Sequence, residues 1–229
     1  MPPPPRPSPL LEIAVTLLVP SLILMQLSQP EYLGPAAALV LALAFPVGWG
    51  LRELARGRTF GLFAGLGVVS LLLTGGIGLL ELDTRWLAVK EAAIPAVLGL
   101  IVAGSALTAR PLVRALLYTP VLIDTDRIDA ALAERGNLAA FDARLRTATW
   151  MLSGSFAFSA VMNYLLATWI VTSPAGSTAF NEELGRLALL SYPVIALPST
   201  LMLFAVLLYL SGGVKRLTGL GLGDMLRGG

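Results

Sequence analysis

The chain has 229 residues, 56% of them apolar before its 23 glycines are counted and only 13% charged; an ordinary soluble domain carries about 25% charged residues, so a water-soluble globular protein is excluded. Cysteine is absent, which removes disulfides, thiolate metal sites and iron–sulfur clusters, and histidine is absent, which removes the usual zinc ligand and the usual general base at neutral pH. The net charge of +2, from 16 basic and 14 acidic residues, is too small to give a basic face for nucleic acid, so no nucleic-acid partner is expected.

A spanning helix needs about 20 mostly apolar residues, and six stretches meet that test, at 10–28, 32–51, 59–80, 86–108, 147–172 and 188–212. The expected fold is therefore all-α and integral to the membrane, one polytopic domain over 1–229 with six transmembrane helices. The first stretch follows a proline-rich tail over 1–9 whose one base is Arg6. It exceeds the 7–15 residues typical of a signal-peptide core and no small-x-small cleavage pattern follows, so it reads as a retained helix, with Glu12 near its start and Gln26 near its end. Proline interrupts the first helix at Pro20, the second at Pro46, the fourth at Pro95 and the sixth at Pro193 and Pro198. That distribution singles out no pair of helices, as an inverted three-plus-three repeat would.

The third stretch carries Gly61 and Gly65 as a small-xxx-small pair, then Thr74 with Gly75, Gly76 and Gly78. Such glycines let a neighbouring backbone approach closely. The fourth opens with Trp86, Lys90 and Glu91. Between the fourth and fifth lies the long segment 109–146, whose DTDRIDAALAERGN reads as a short amphipathic helix. Asp124 or Thr125 caps it, and Arg135 followed by Gly136 stops it. Ile128, Leu132, Leu138, Phe141 and Leu145 repeat at helical spacing, which suits either a helix lying on the inner leaflet or a connector packed on its own bundle. The fifth stretch sets Ser155, Ser159 and Asn163 on one face at four-residue spacing. In the following TSPAGSTAFNEELGR, Thr178 or Asn181 caps a short helix with Glu182 and Glu183 in its first turn and Phe180 and Leu184 resting on the bundle, as a lid or a plain connector. The sixth begins with Ser191, Tyr192 and Pro193, and Ser199 returns to the Tyr192 face.

Cytoplasmic loops retain positive charge. Arg6, Arg52, Arg56, Arg58, Arg110, Arg114, Arg127, Arg135, Arg144, Arg146, Lys215, Arg216 and Arg227 fall on one set of segments, and only Arg85 and Arg186 on the other. Both termini are thus expected in the cytoplasm, which makes the partner of most of the surface the lipid bilayer.

An ionisable side chain inside a spanning helix costs about 2.5–3.5 kcal/mol at the centre. Lys90 lies four residues past Trp86, about 6 Å along the helix, within reach of the interface for a snorkelling lysine. Thr74, Gln26, Asn163, Ser159, Tyr192 and Ser199 cluster toward the same side, which points to an outward-facing polar cavity with Lys90 and Glu91 on its wall. Lys90 is expected to stay charged and to be held by protein oxygens, Asn163 and Tyr192 first. Adjacent residues point about 100° apart, so Glu91 is expected to reach Lys90 only through another helix or a water. No catalytic residue, metal ligand set or cofactor motif is present: HExxH, GxSxG, a P-loop and paired intramembrane aspartates are all missing.

LVPSLIL in the first helix, LLTGGIGLLELDTRWLAVKEAAIP through the third and fourth, TSPAGSTAFNEELGR and SYPVIALPS together resemble the bacterial inner-membrane family of intracellular septation protein A-like proteins, over about residues 10–218. The resemblance implies a multi-pass, non-enzymatic protein of the cell envelope, with Lys90 after Glu81 and Asp83 at the family's early-helix lysine, acting through envelope or division proteins. The proline-rich tail and the 121–146 segment depart from the shorter septation proteins. The competing expectation is a small-solute or ion transporter using the outward cavity, which with six helices calls for a homodimer.

Overall fold

A computed structural model of the chain describes residues 11, 13–55, 62–118 and 124–220, without the side chains of 53–55, 62–68 and 117. The expectations for the tail, Glu12 and Gly61 of the Gly61/Gly65 pair lie outside the described residues. The described residues are helical with turns between, and hold no strand. In chain order the helices are α1 (Ala14–Gln26), α2 (Gly34–Ala55), α3 (Leu62–Leu79), α4 (Arg85–Ala106), α5 (Leu112–Leu117), α6 (Thr125–Glu134), α7 (Leu138–Ile170) and α8 (Thr178–Thr218).

Four of them, Gly34–Arg52 within α2 and then α4, α7 and α8, are long and apolar enough to cross a membrane. The described parts of the other two expected spans are shorter, Ala14–Gln26 and Val69–Leu79. The 33 residues of α7 and the 41 of α8 run about 50 and 60 Å at 1.5 Å per residue, well beyond a hydrocarbon core of about 30 Å. Two expected boundaries move accordingly. The stripe at Leu138, Phe141 and Leu145 is the start of α7, and the helix expected in the TSPAGSTAFNEELGR segment is the start of α8.

Proline accounts for the irregular turns. Ala14–Leu18 in α1 and Tyr192–Ala196 in α8 are π-helical, and each ends two residues before a proline, Pro20 and Pro198. A proline ring crowds the turn before it and offers that turn no N–H; widening the turn relieves the clash. Pro46 and Pro95 sit inside helices that stay α-helical throughout.

The chain divides into two compact units, Met1–Ile94 with Val161–Ile195, and Pro95–Ala160 with Ala196–Gly229. In the first, Ile23, Leu39, Ile77, Leu87, Leu166, Phe180 and Leu187 make the core. Close approach there depends on missing side chains. A Cβ on Gly185 would meet the backbone oxygen of Ser21 at 2.8 Å, and one on Gly75 the side chain of Leu43 at 2.8 Å. Gly78 is closed off by Leu39 and Phe180, whereas Gly76 faces open space, so two of the three clustered glycines serve packing. The α8 segment is no lid. Ser177, rather than Thr178 or Asn181, caps it by accepting from the Phe180 N–H at 3.1 Å. Glu182 and Glu183 therefore fall in its second turn, and Phe180 and Asn181 are fully buried. The Asn181 amide donates to Ser28 Oγ at 3.0 Å and the Pro35 carbonyl at 2.8 Å. Glu183 accepts from the Thr172 and Ser173 backbone N–H groups at 3.0 and 2.9 Å, which fixes the preceding turn.

In the second unit the short helix appears where the sequence puts it. Asp124 caps α6 by accepting from the Arg127 N–H, and Gly136, at φ +67°, provides the left-handed residue that ends it. Ile128, Leu132, Phe141 and Leu145 are buried in this unit's core with Val113 and Val214, so the leaflet reading of that face gives way to the bundle one. Leu138 alone of the stripe is exposed. Burial, and then the hydrogen bond to Asp129 at 2.9 Å, raise the pKa of the Tyr118 phenol well above its usual range. The Arg144 guanidinium donates twice to the Tyr209 carbonyl, at 2.9 and 2.6 Å, and lies 3.9 Å from the centre of the Tyr209 ring. It fits there because residue 213 is glycine; a Cβ at that position would run into the guanidinium. Gly213→Ala is expected to displace Arg144 and cost about 1–3 kcal/mol. In an Arg144→Ala background the same change should be neutral or stabilising, since alanine favours a helix by about 1 kcal/mol over glycine. Thermal unfolding of the four proteins checks this, and equal costs in both backgrounds would refute the coupling.

Candidate functional site

Lys90, on the first turns of α4, is buried to 8% residual exposure in the first unit. An ammonium in so apolar a place costs several kcal/mol unless oxygens replace its water, and the sequence supplies them one helix away. Ser70 and Thr74 are four residues apart on α3, hence on one face. The ammonium donates to Thr74 Oγ1 at 2.8 Å and Ser70 Oγ at 3.1 Å, with a longer contact of 3.5 Å to the Ser70 carbonyl. The Thr74 hydroxyl donates its own hydrogen bond to the Ser70 carbonyl at 3.0 Å, which turns its lone pairs toward the lysine. The fourth contact is Glu91 Oε1 at 2.7 Å.

Two expectations are corrected here. Among the described residues the partners of the ammonium are Ser70, Thr74 and Glu91, and neither Asn163 nor Tyr192 is one of them. The 100° offset between neighbours does not keep Glu91 away either: it separates the Cα–Cβ directions, while a four-carbon lysine stem bends across the arc. Ser70 is the partner not expected from the sequence, and its one-turn spacing from Thr74 is the signal that points to it.

A cavity of about 250 Å³ opens beside this cluster. Glu91 and Thr74 line it together with Thr16 and Ser21 of α1 and Ser191 of α8, and the remainder of its wall is leucine, proline and alanine. Pro20 and Pro46 both border it, so the widened turn of α1 is part of its wall. Lys90 itself lines a second space, an apolar groove of about 360 Å³ with Val69, Leu73, Trp86 and Val89. The ion pair therefore stands between a partly polar cavity and an apolar groove.

The other expected site residues are placed elsewhere. Gln26 and Tyr192 are exposed on their helices. Asn163 is half-buried in the first unit. Ser159 and Ser199 belong to the second unit, where their hydroxyls meet at 3.2 Å. No cluster of three or more carboxylates able to hold a metal exists among the described residues.

Removing one member of a buried ion pair strands the other, which costs about 3–5 kcal/mol, whereas replacing both can be nearly neutral. Glu91 keeps 29% of its side chain exposed, which lowers that cost: Lys90→Met is expected to destabilise the protein by about 1–3 kcal/mol, and Lys90→Met with Glu91→Gln to recover most of the loss. Unfolding in detergent reads both, and a harmless Lys90→Met would mean that the ammonium is held by solvent. No protein family, no curated protein and no solved structure matches the chain.

Proposed function

We propose that the chain is a non-enzymatic multi-pass protein of the bacterial inner membrane, with six spans and both termini in the cytoplasm, and that it serves the cell envelope by taking a small solute into the cavity of its first unit. The observation that carries the solute reading is the pairing of a buried charge cluster with a cavity: Glu91 and Thr74 each hold the Lys90 ammonium and each line the 250 Å³ space. Intramembrane ionisable residues are retained against their insertion cost where they serve a pathway or a ligand. The π-helical turn at Ala14–Leu18 on the same wall supports the reading, because such turns recur at functional sites. A purely scaffolding role with division or envelope proteins has in its favour the resemblance of the strings quoted above, and it needs no cavity.

The topology draws its support from the charge asymmetry across alternate loops. With no native cysteine, single cysteines report cleanly. Asp126→Cys is expected to label only from the cytoplasmic side and Ala179→Cys only from the opposite side; labelling of Ala179→Cys from the cytoplasm would overturn the arrangement. Flux in proteoliposomes separates the two roles. Under the solute reading the Lys90→Met/Glu91→Gln protein folds and inserts but loses solute movement, while a scaffold keeps its cellular function with the same substitutions.

A further inference from the structure

We propose that the cavity of the first unit binds a small organic cation, a primary ammonium on a short aliphatic body, and that Lys90 is its tethered competitor. The proposal rests on the reading of that cavity as a solute site and names the class of solute.

The chemistry of the site already describes its ligand. The side chain of Lys90 is a four-carbon alkylammonium, and its three N–H donors are met by Thr74 Oγ1 at 2.8 Å, Ser70 Oγ at 3.1 Å and Glu91 Oε1 at 2.7 Å. Two of those three acceptors, Thr74 and Glu91, are on residues that also line the cavity. A molecule in the cavity thus approaches the residues that hold the lysine. Among the described lining residues the one ionisable group is Glu91, an acid, and none is basic. Once Lys90 is displaced the cavity faces an uncompensated carboxylate, which would repel an anion and which a neutral alcohol would leave without a counter-charge.

Size and polarity narrow the class further. At about 30 Å³ per water, 250 Å³ holds about eight waters, which is room for an ammonium and a chain of several carbons. The leucine and proline walls suit an aliphatic body better than a hydrated metal ion, which demands oxygens on all sides. Lys90 has somewhere to go when displaced. It lines the separate apolar groove with Trp86, one turn earlier on α4, along which its stem can extend while the ammonium moves toward the end of the helix.

The test uses the purified full-length protein in detergent, with n-butylammonium chloride, sodium butyrate, n-butanol and sodium chloride compared at matched concentration by thermal shift and titration calorimetry. Butylammonium alone is expected to raise the melting temperature and to titrate saturably. Lys90→Met should bind it at least tenfold more tightly, because the internal competitor is gone, and Glu91→Gln should not bind it. Stabilisation by butyrate, butanol or sodium ion in place of butylammonium overturns the cation assignment and leaves a solute cavity standing. No effect from any of the four on folded protein overturns both. If Lys90→Met does not fold, the comparison of butylammonium with butanol on the unaltered chain decides, and equal responses to the two overturn the proposal.

Discussion

An ammonium ion inside an apolar helical unit must be wrapped in oxygen, and the first unit of this protein is arranged around that requirement. The cost of dehydrating Lys90 amounts to several kcal/mol, and one neutral hydrogen bond returns only about 0.5–1.5. A single acceptor would therefore leave the residue a net liability. Four contacts, one of them with a carboxylate at 2.7 Å, reverse the balance. The price of that arrangement is geometric: α3 must present Ser70 and Thr74 toward α4 at a fixed rotation, and α4 must hold Glu91 beside its own neighbour.

That rotation is set by glycine and proline rather than by the polar groups. On the same α3, Gly75 and Gly78 admit Leu43 and Leu39 of α2, and Gly185 of α8 rides directly on the Ser21 carbonyl of α1. Contacts this close leave no slack for a helix to roll, so the hydroxyls of α3 are carried to a defined place by apolar packing. Pro20 acts in the other direction. Its ring widens the preceding turn of α1 into a π stretch, and the residues of that stretch border the cavity that close packing elsewhere excludes. The cavity and the tight seams are two results of small and cyclic residues placed along the same helices.

Much of this was legible in the sequence, and what was not has a physical cause. Apolar length gives helices long enough to cross a membrane, Asp124 and Gly136 bound α6 as capping chemistry requires, and Lys90, Glu91 and Thr74 stand out because charge is costly in an apolar segment. Depth along a helix is readable from residue count, because the rise is constant. Rotation about the helix axis relative to a neighbour is not, since it depends on packing between segments distant in the chain. This is why Asn163 and Tyr192, expected near Lys90 in depth, are absent from the cage, while Ser70, one turn from Thr74, belongs to it. The boundary errors have another origin. Hydropathy marks the apolar part of a helix, but α7 and α8 continue through polar turns that Arg144, Asn181 and Glu183 satisfy by hydrogen bonding, where a hydropathy window stops counting.

Both units have side chains that donate across the bundle to backbone carbonyls, as Asn181 does to Pro35 in the first, and the Lys90 cluster differs from these. In the second, Arg144 donates to the Tyr209 carbonyl, Asn137 to the Leu217 carbonyl at 2.8 Å and Ser153 to the Gly99 carbonyl at 3.0 Å. Each links two helices through a backbone acceptor, and such bonds hold a bundle together whatever passes by it. In the first unit, Thr74 and Glu91 spend their oxygens on a mobile four-carbon side chain while also bordering open space. Arg144 and Lys90 can both leave their acceptors by a change of rotamer, but the acceptor Arg144 leaves is a backbone carbonyl within α8, whereas Thr74 and Glu91, which Lys90 leaves, also border open space. A molecule in that space can therefore take over the oxygens of Thr74 and Glu91 without a helix having to move, which is the ground for placing the proposed solute site there.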